Sequence, residues 1–172
     1  HPVSIKFGVE VQKEKNELVL IGKDGRETKY TIGKDYSPTS FTANNTLESE
    51  VVFGGYGLSV AGKPGVGYNS YADLNATGKM VLVLRYVPEK VEGKRRQQLM
   101  RSAALVRKAT VARSHGAKGV IIVSGPNSEK SNELIPLNYV RGATSTGVIA
   151  VSGSHKLANA LLEVAGKGDL KK

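Results

Sequence analysis

The chain has 172 residues, a net charge of +10 and no cysteine. That length holds one domain with a core of its own, and an apolar content of 40% argues against disorder. The lack of cysteine excludes disulfides, thiolate catalysis and cysteine-based zinc sites, and no apolar run reaches the ~18 residues that a membrane-spanning helix needs.

In chain order, Val3–Val11 alternates apolar and polar residues with the period of a half-buried strand. Glu17–Ile21 and Glu27–Ile32 flank Gly22-Lys23-Asp24-Gly25 and predict a β-hairpin. Asp35–Ser40 contains Pro38 and reads as a turn or an edge segment, and Leu47–Tyr56 carries the apolar run Val51-Val52-Phe53. The glycine-rich stretch from Gly57 to Asn69 predicts a loop. Met80–Tyr86 is a continuous apolar run, as expected of a central strand buried on both faces. Gln97–His115 predicts the best helix, rich in Ala, Leu, Arg and Gln. Its apolar positions form two stripes, so it packs between two surfaces or divides into two shorter helices. Gly116 fits a left-handed C-cap, followed by a strand at Val120–Ser124. Leu134–Leu137 and Gly147–Val151 read as further strands, and Ser154 as the N-cap of a helix over His155–Val164 closed by Gly166. The pattern predicts a mixed α/β, β-rich fold with two flanking helices and a partly parallel sheet, the earlier strands forming a second, antiparallel layer.

Chemistry-bearing motifs are sparse. His115 and His155 stand at the ends of different helices, neither with a histidine or carboxylate three or four residues along its helix, and His-Glu-x-x-His is absent. Gly-x-Ser-x-Gly is absent too. A cation at His115 would instead complement a helix C-terminus. Gly62–Gly67 and Gly54–Gly57 are glycine-rich, but neither has the order and context of a phosphate loop or a dinucleotide turn. The charge is concentrated: Arg85 to Lys118 holds ten basic residues against Glu89 and Glu92. Such a cluster points to a solvated basic face or an anionic partner. Only Tyr86 lies near enough to stack on a base, which argues against nucleic acid.

Several blocks stand in a set order: Val51–Leu58 (VVFGGYGL), Gly67–Asp73 (GYNSYAD), Ala76–Tyr86 (ATGKMVLVLRY), Lys108–Val123 (KATVARSHGAKGVIIV) and Gly147–Ser152 (GVIAVS), before the closing helix. This order resembles the protease-associated domain in the form inserted in zinc aminopeptidases related to the transferrin receptor and glutamate carboxypeptidase. The resemblance covers about residues 47–170, with residues 3–46 as an antiparallel β extension of one domain spanning 1–172. It implies the swivelling β/β/α fold of that family.

It also implies a non-catalytic module. The resemblance puts zinc and its ligands in a separate catalytic domain, with no cofactor here. This domain then shapes access of peptide or protein substrates to that catalytic domain, its partner, and mediates protein interaction. A stand-alone protein-binding domain of the sorting-receptor type is the alternative. The expected interaction surface comprises Lys94, Arg95, Arg96 and Arg101, facing an acidic partner or a peptide carboxylate, with Tyr56, Tyr68 and Tyr71 as a second group that otherwise packs the glycine-rich loop. Lys108 and Ala112 share one helix face: the alanine permits close approach to the sheet, and the lysine stem lies along it with its ammonium reaching water or a carbonyl. No nucleic acid and no membrane span are expected. The start at His1-Pro2 is that expected of a processed fragment, and the parent is expected to be secreted or periplasmic.

Overall fold

The computed structural model describes residues 11–62, 66–128, 130–137, 145–165 and 170. The predicted strand Val3–Val11 falls almost wholly outside these residues, as does the closing Gly166.

The predicted hairpin forms from β1 (Leu18–Ile21) and β2 (Glu27–Tyr30), antiparallel with Leu18 opposite Tyr30. Its turn closes through Gly25, whose φ of +77° suits glycine. Then come β3 (Tyr36–Pro38), β4 (Val51–Phe53), the two-residue strands β5 (Ser59–Val60) and β6 (Tyr68–Asn69), β7 (Met80–Leu84), β8 (Gly119–Val123) and β9 (Ile149–Gly153). The main sheet has the order β3-β9-β8-β7-β4. All its neighbours run parallel except β3, which pairs antiparallel with β9 at one edge. Pro38 is tolerated there because an edge strand leaves one side unpaired. Among the described residues, the antiparallel layer expected of the earlier strands reduces to the β1–β2 pair, because β3 and β4 join the main sheet.

Alternation along the central strands sorts side chains to two faces. Val81, Val83, Val120, Ile122 and Ala150 pack on one side with Ala109 and Ala112. Leu82, Ile121, Val123 and Val151 pack on the other with Leu157, Ala158, Leu161 and Leu162. Every residue of β8 is buried. Gly119 lets β8 approach β7, since a Cβ there would stand 2.7 Å from Met80 Cε.

Three α-helices occur among the described residues rather than two: α1 (Gly93–Arg101), α2 (Leu105–Ser114) and α3 (His155–Val164). The long helix predicted over Gln97–His115 breaks at Ser102–Ala104, where Ala104 turns extended (ψ 134°). The cause is tertiary. Leu99 belongs to a small core with Leu58 and Val87, while Ala109 and Ala112 pack on the main sheet. One straight rod does not serve both. Ser154 caps α3 as expected, its side chain accepting from Leu157 N–H. The stretch at Leu134–Leu137 forms no strand. No helix of the described residues is long and apolar enough to cross a membrane.

Candidate interaction surface

The sheet carries a lobe at the carboxyl ends of its strands. It contains the β5–β6 pair and α1, wrapped around Leu58, Val87 and Leu99, with Tyr56, Val60, Tyr68, Val91 and Ala103 packed against them. The chain leaves the sheet for this lobe twice, after β4 at Tyr56 and after β7 at Leu84–Tyr86. Tyr86 adopts φ +76°, a strained turn for a side-chain-bearing residue.

Both crossings are tied to one ammonium. Lys108 on α2 is fully buried. Its Nζ donates to the carbonyls of Tyr56, Leu84 (3.1 Å) and Tyr86 (2.8 Å). Its three hydrogens therefore meet three acceptors. Burial pushes this ammonium down to about 7, a shift that the three carbonyls oppose. Sequence reasoning placed the lysine on the sheet side and offered a carbonyl as one partner. The three-fold cage depends on loop carbonyls that no motif encodes.

Lys94, Arg95, Arg96 and Arg101 all lie exposed on α1. Arg95 Nη2 comes to 3.5 Å from the carbonyl of Gly67, tying α1 to the β5–β6 loop. Arg96 and Arg101, with Gln97 and Met100, surround an open depression of ≈ 500 Å³. Tyr56 and Tyr68 are half-buried against the lobe core. Tyr71 leaves the expected surface. It is only 4% exposed and sits in the main core, stacked on His115 with ring centroids 4.3 Å apart. Burial pushes its phenol up to about 12, and its hydroxyl has no partner among the described residues. Of the two readings of this tyrosine group, surface contact or packing of the loop, Tyr71 follows the second, its ring meeting His115 at the end of α2.

The histidines stay apart. His115 Nδ1 lies 2.9 Å from Val111 O on its own helix. His155 opens α3, its Nε2 2.9 Å from Ser124 O and its backbone N–H donating to Asn132 Oδ1. Among the described residues no three His, Cys, Asp or Glu side chains converge as metal ligands. Sequence reasoning missed Gln97, Met100, Val106 and Arg107 on the basic face. It also missed Arg85 Nη1 and Ser124 Oγ, both buried without a hydrogen-bond partner among the described residues.

The family model of the PA domain matches residues 17–161. The chain belongs to the PA domain family. As a PA domain it has the mixed α/β architecture that its blocks implied, with a multistranded sheet and three helices. Among solved structures it is similar to BSAP, a zinc aminopeptidase from Bacillus subtilis, with 18% identity, coverage of 91% of this chain and 29% of that chain, and a TM-score of 0.48. It is also similar to the aminopeptidase from Aneurinibacillus sp. strain AM-1, with 17% identity, coverage of 89% of this chain and 30% of that chain, and a TM-score of 0.48. The PA domain thus spans under a third of the length of either enzyme. No curated protein matches it.

Proposed function

We propose that this PA domain is the non-catalytic module of a secreted or periplasmic zinc-dependent aminopeptidase, and that it shapes the access of peptide substrates to a neighbouring catalytic domain. Family membership and the order of its sequence blocks support the reading. The observation that carries it is the lobe: a basic face raised on α1 at the carboxyl edge of the sheet, anchored through Lys108. In open α/β sheets that edge is where ligands and neighbours are met. In this reading zinc and its ligands belong to the catalytic domain, where the metal would polarise the peptide carbonyl and activate water.

Two measurements test this. The parent gene should encode, downstream, His-x-Asp followed by Glu-Glu, Asp and His. In the parent enzyme, excising the PA domain should change kcat/KM on peptides more than on a single-residue chromogenic amide. Equal change on both substrates, or flanks without those ligands, would refute the proposal.

A further inference from the structure

Residues 93–114 hold seven cations and no acid. Two of the seven have internal roles: Lys108 fills the carbonyl cage, and Arg113 Nη1 donates to Thr146 O at 3.0 Å. The other five, Lys94, Arg95, Arg96, Arg101 and Arg107, are exposed, and none forms an ion pair among the described residues. Three of them occupy the first turn of α1. There the free N–H groups and the helix dipole already present positive charge, and Glu92 at the N-cap makes no side-chain capping bond. Cations at that end disfavour the helix, and among the described residues no carboxylate, Glu92 included, lies within ion-pair distance of them. Apart from the 3.5 Å reach of Arg95 to the Gly67 carbonyl, folding gives no reason for their placement.

Between these charges lie two apolar side chains turned to solvent. Met100 is 45% and Val106 43% exposed, on either side of the α1–α2 break. Single exposed apolar residues are ordinary. Here Met100 lines the open depression together with Arg96, Gln97 and Arg101. A flexible thioether adapts to varied apolar shapes, and guanidinium forks match carboxylates two bonds at a time.

We infer that the α1–α2 corner is a docking surface for an acidic segment of another protein, with one apolar side chain seated on Met100 and flanking carboxylates paired with Arg96 and Arg101. This deepens the reading of the domain as a module that lends surface to a neighbour, and it holds whether or not that neighbour is a peptidase. Protein is favoured over nucleic acid because residues 93–114 contain no aromatic side chain on which a base could stack. The face mixes charge with apolar contact, as protein interfaces do.

The test uses the whole chain and fluorescence anisotropy in low salt. The probes are a labelled peptide with one leucine between two pairs of glutamates, a peptide of equal length made of glutamate alone, and an oligothymidine of equal length. The leucine peptide should bind about tenfold more tightly than the all-glutamate peptide, a difference of about 1.4 kcal/mol. Met100→Ser should erase that preference while leaving the residual, salt-sensitive affinity. Arg96→Glu with Arg101→Glu should abolish binding of both peptides, with the circular-dichroism spectrum unchanged. Equal binding of the two peptides, with Met100→Ser silent, would reduce the surface to unspecific charge and overturn the inference. Tighter binding of the oligothymidine, or no binding of any probe up to about 1 mM, would overturn it too. If the parent gene lacks peptidase ligands while the leucine peptide still binds in this pattern, the proposed parent fails and the docking surface stands.

Discussion

Replacing Lys108 with methionine tests the anchor of the lobe. Methionine keeps most of the stem and loses the ammonium. The carbonyls of Tyr56, Leu84 and Tyr86 then lose the donor they share. A buried acceptor left unsatisfied costs about 1–3 kcal/mol, which for three acceptors sums to about 3–9 kcal/mol. Removing a charge that burial disfavours gives part of this back. A net loss of about 3 kcal/mol is expected, large against the ~5–15 kcal/mol that holds a domain folded. Urea denaturation followed by far-UV circular dichroism measures it, since the chain has no tryptophan to report by fluorescence. The pH dependence adds a sign. Burial sets the folded pKa, about 7, below the ordinary lysine value of 10.5 that the unfolded chain keeps. From about 7 up to 10.5 the unfolded state binds more protons, so the stability contributed at this position rises with pH. The gap between the native protein and Lys108→Met should therefore be wider at about pH 9 than at about pH 6. A variant within about 0.5 kcal/mol of the native protein at both values would refute the cage as the anchor. A gap that narrows with rising pH would refute the claim that burial governs the ammonium.

Ser154→Ala should lose about 1 kcal/mol in the same assay, and Ser154→Asp nearly none, because the side chain accepts from Leu157 N–H at the start of α3. Gly57→Ala should lose about 2–3 kcal/mol, since φ is +61° and a Cβ would stand 2.8 Å from Val83 Cγ1, whereas Gly25→Ala, at φ +77° with open space around it, should lose only about 1 kcal/mol. Asp35 is held below its ordinary carboxylate range, first by the N–H of Thr31 and then by Lys156. It contributes stability above its unfolded pKa that is lost as pH falls through the folded one. Asp35→Asn should therefore flatten the acid limb of the urea midpoint plotted against pH, and an unchanged limb would show that Asp35 carries no part of it.

Much of the fold was legible because it rests on local rules. The short apolar run in Glu17–Ile21, the glycine-bounded tetrad after it, the unbroken apolar run from Met80, the cap at Ser154 and the spacing of Leu157, Ala158, Leu161 and Leu162 each act within a few residues. So does Gly116, whose φ of +83° ends the turn after α2. On the candidate surface the four α1 cations were legible as charge alone, because they outnumber the acids beside them in the chain.

What composition and periodicity could not reach were outcomes set by distant contacts. The two apolar stripes of Gln97–His115 allowed a division into two helices, but the place of the break, Ser102–Ala104, is set by Leu99 and Ala109 being drawn to different cores. Tyr71 sits among loop residues in the chain and in the core in space, because His115 arrives beside it from α2. Lys108 was recognisable as a lysine on the sheet side of its helix, but its three acceptors lie 22, 24 and 52 residues away. Backbone carbonyls are the same at every residue, so a sequence carries no mark of which of them will converge. Only the closed tertiary structure brings them to one point.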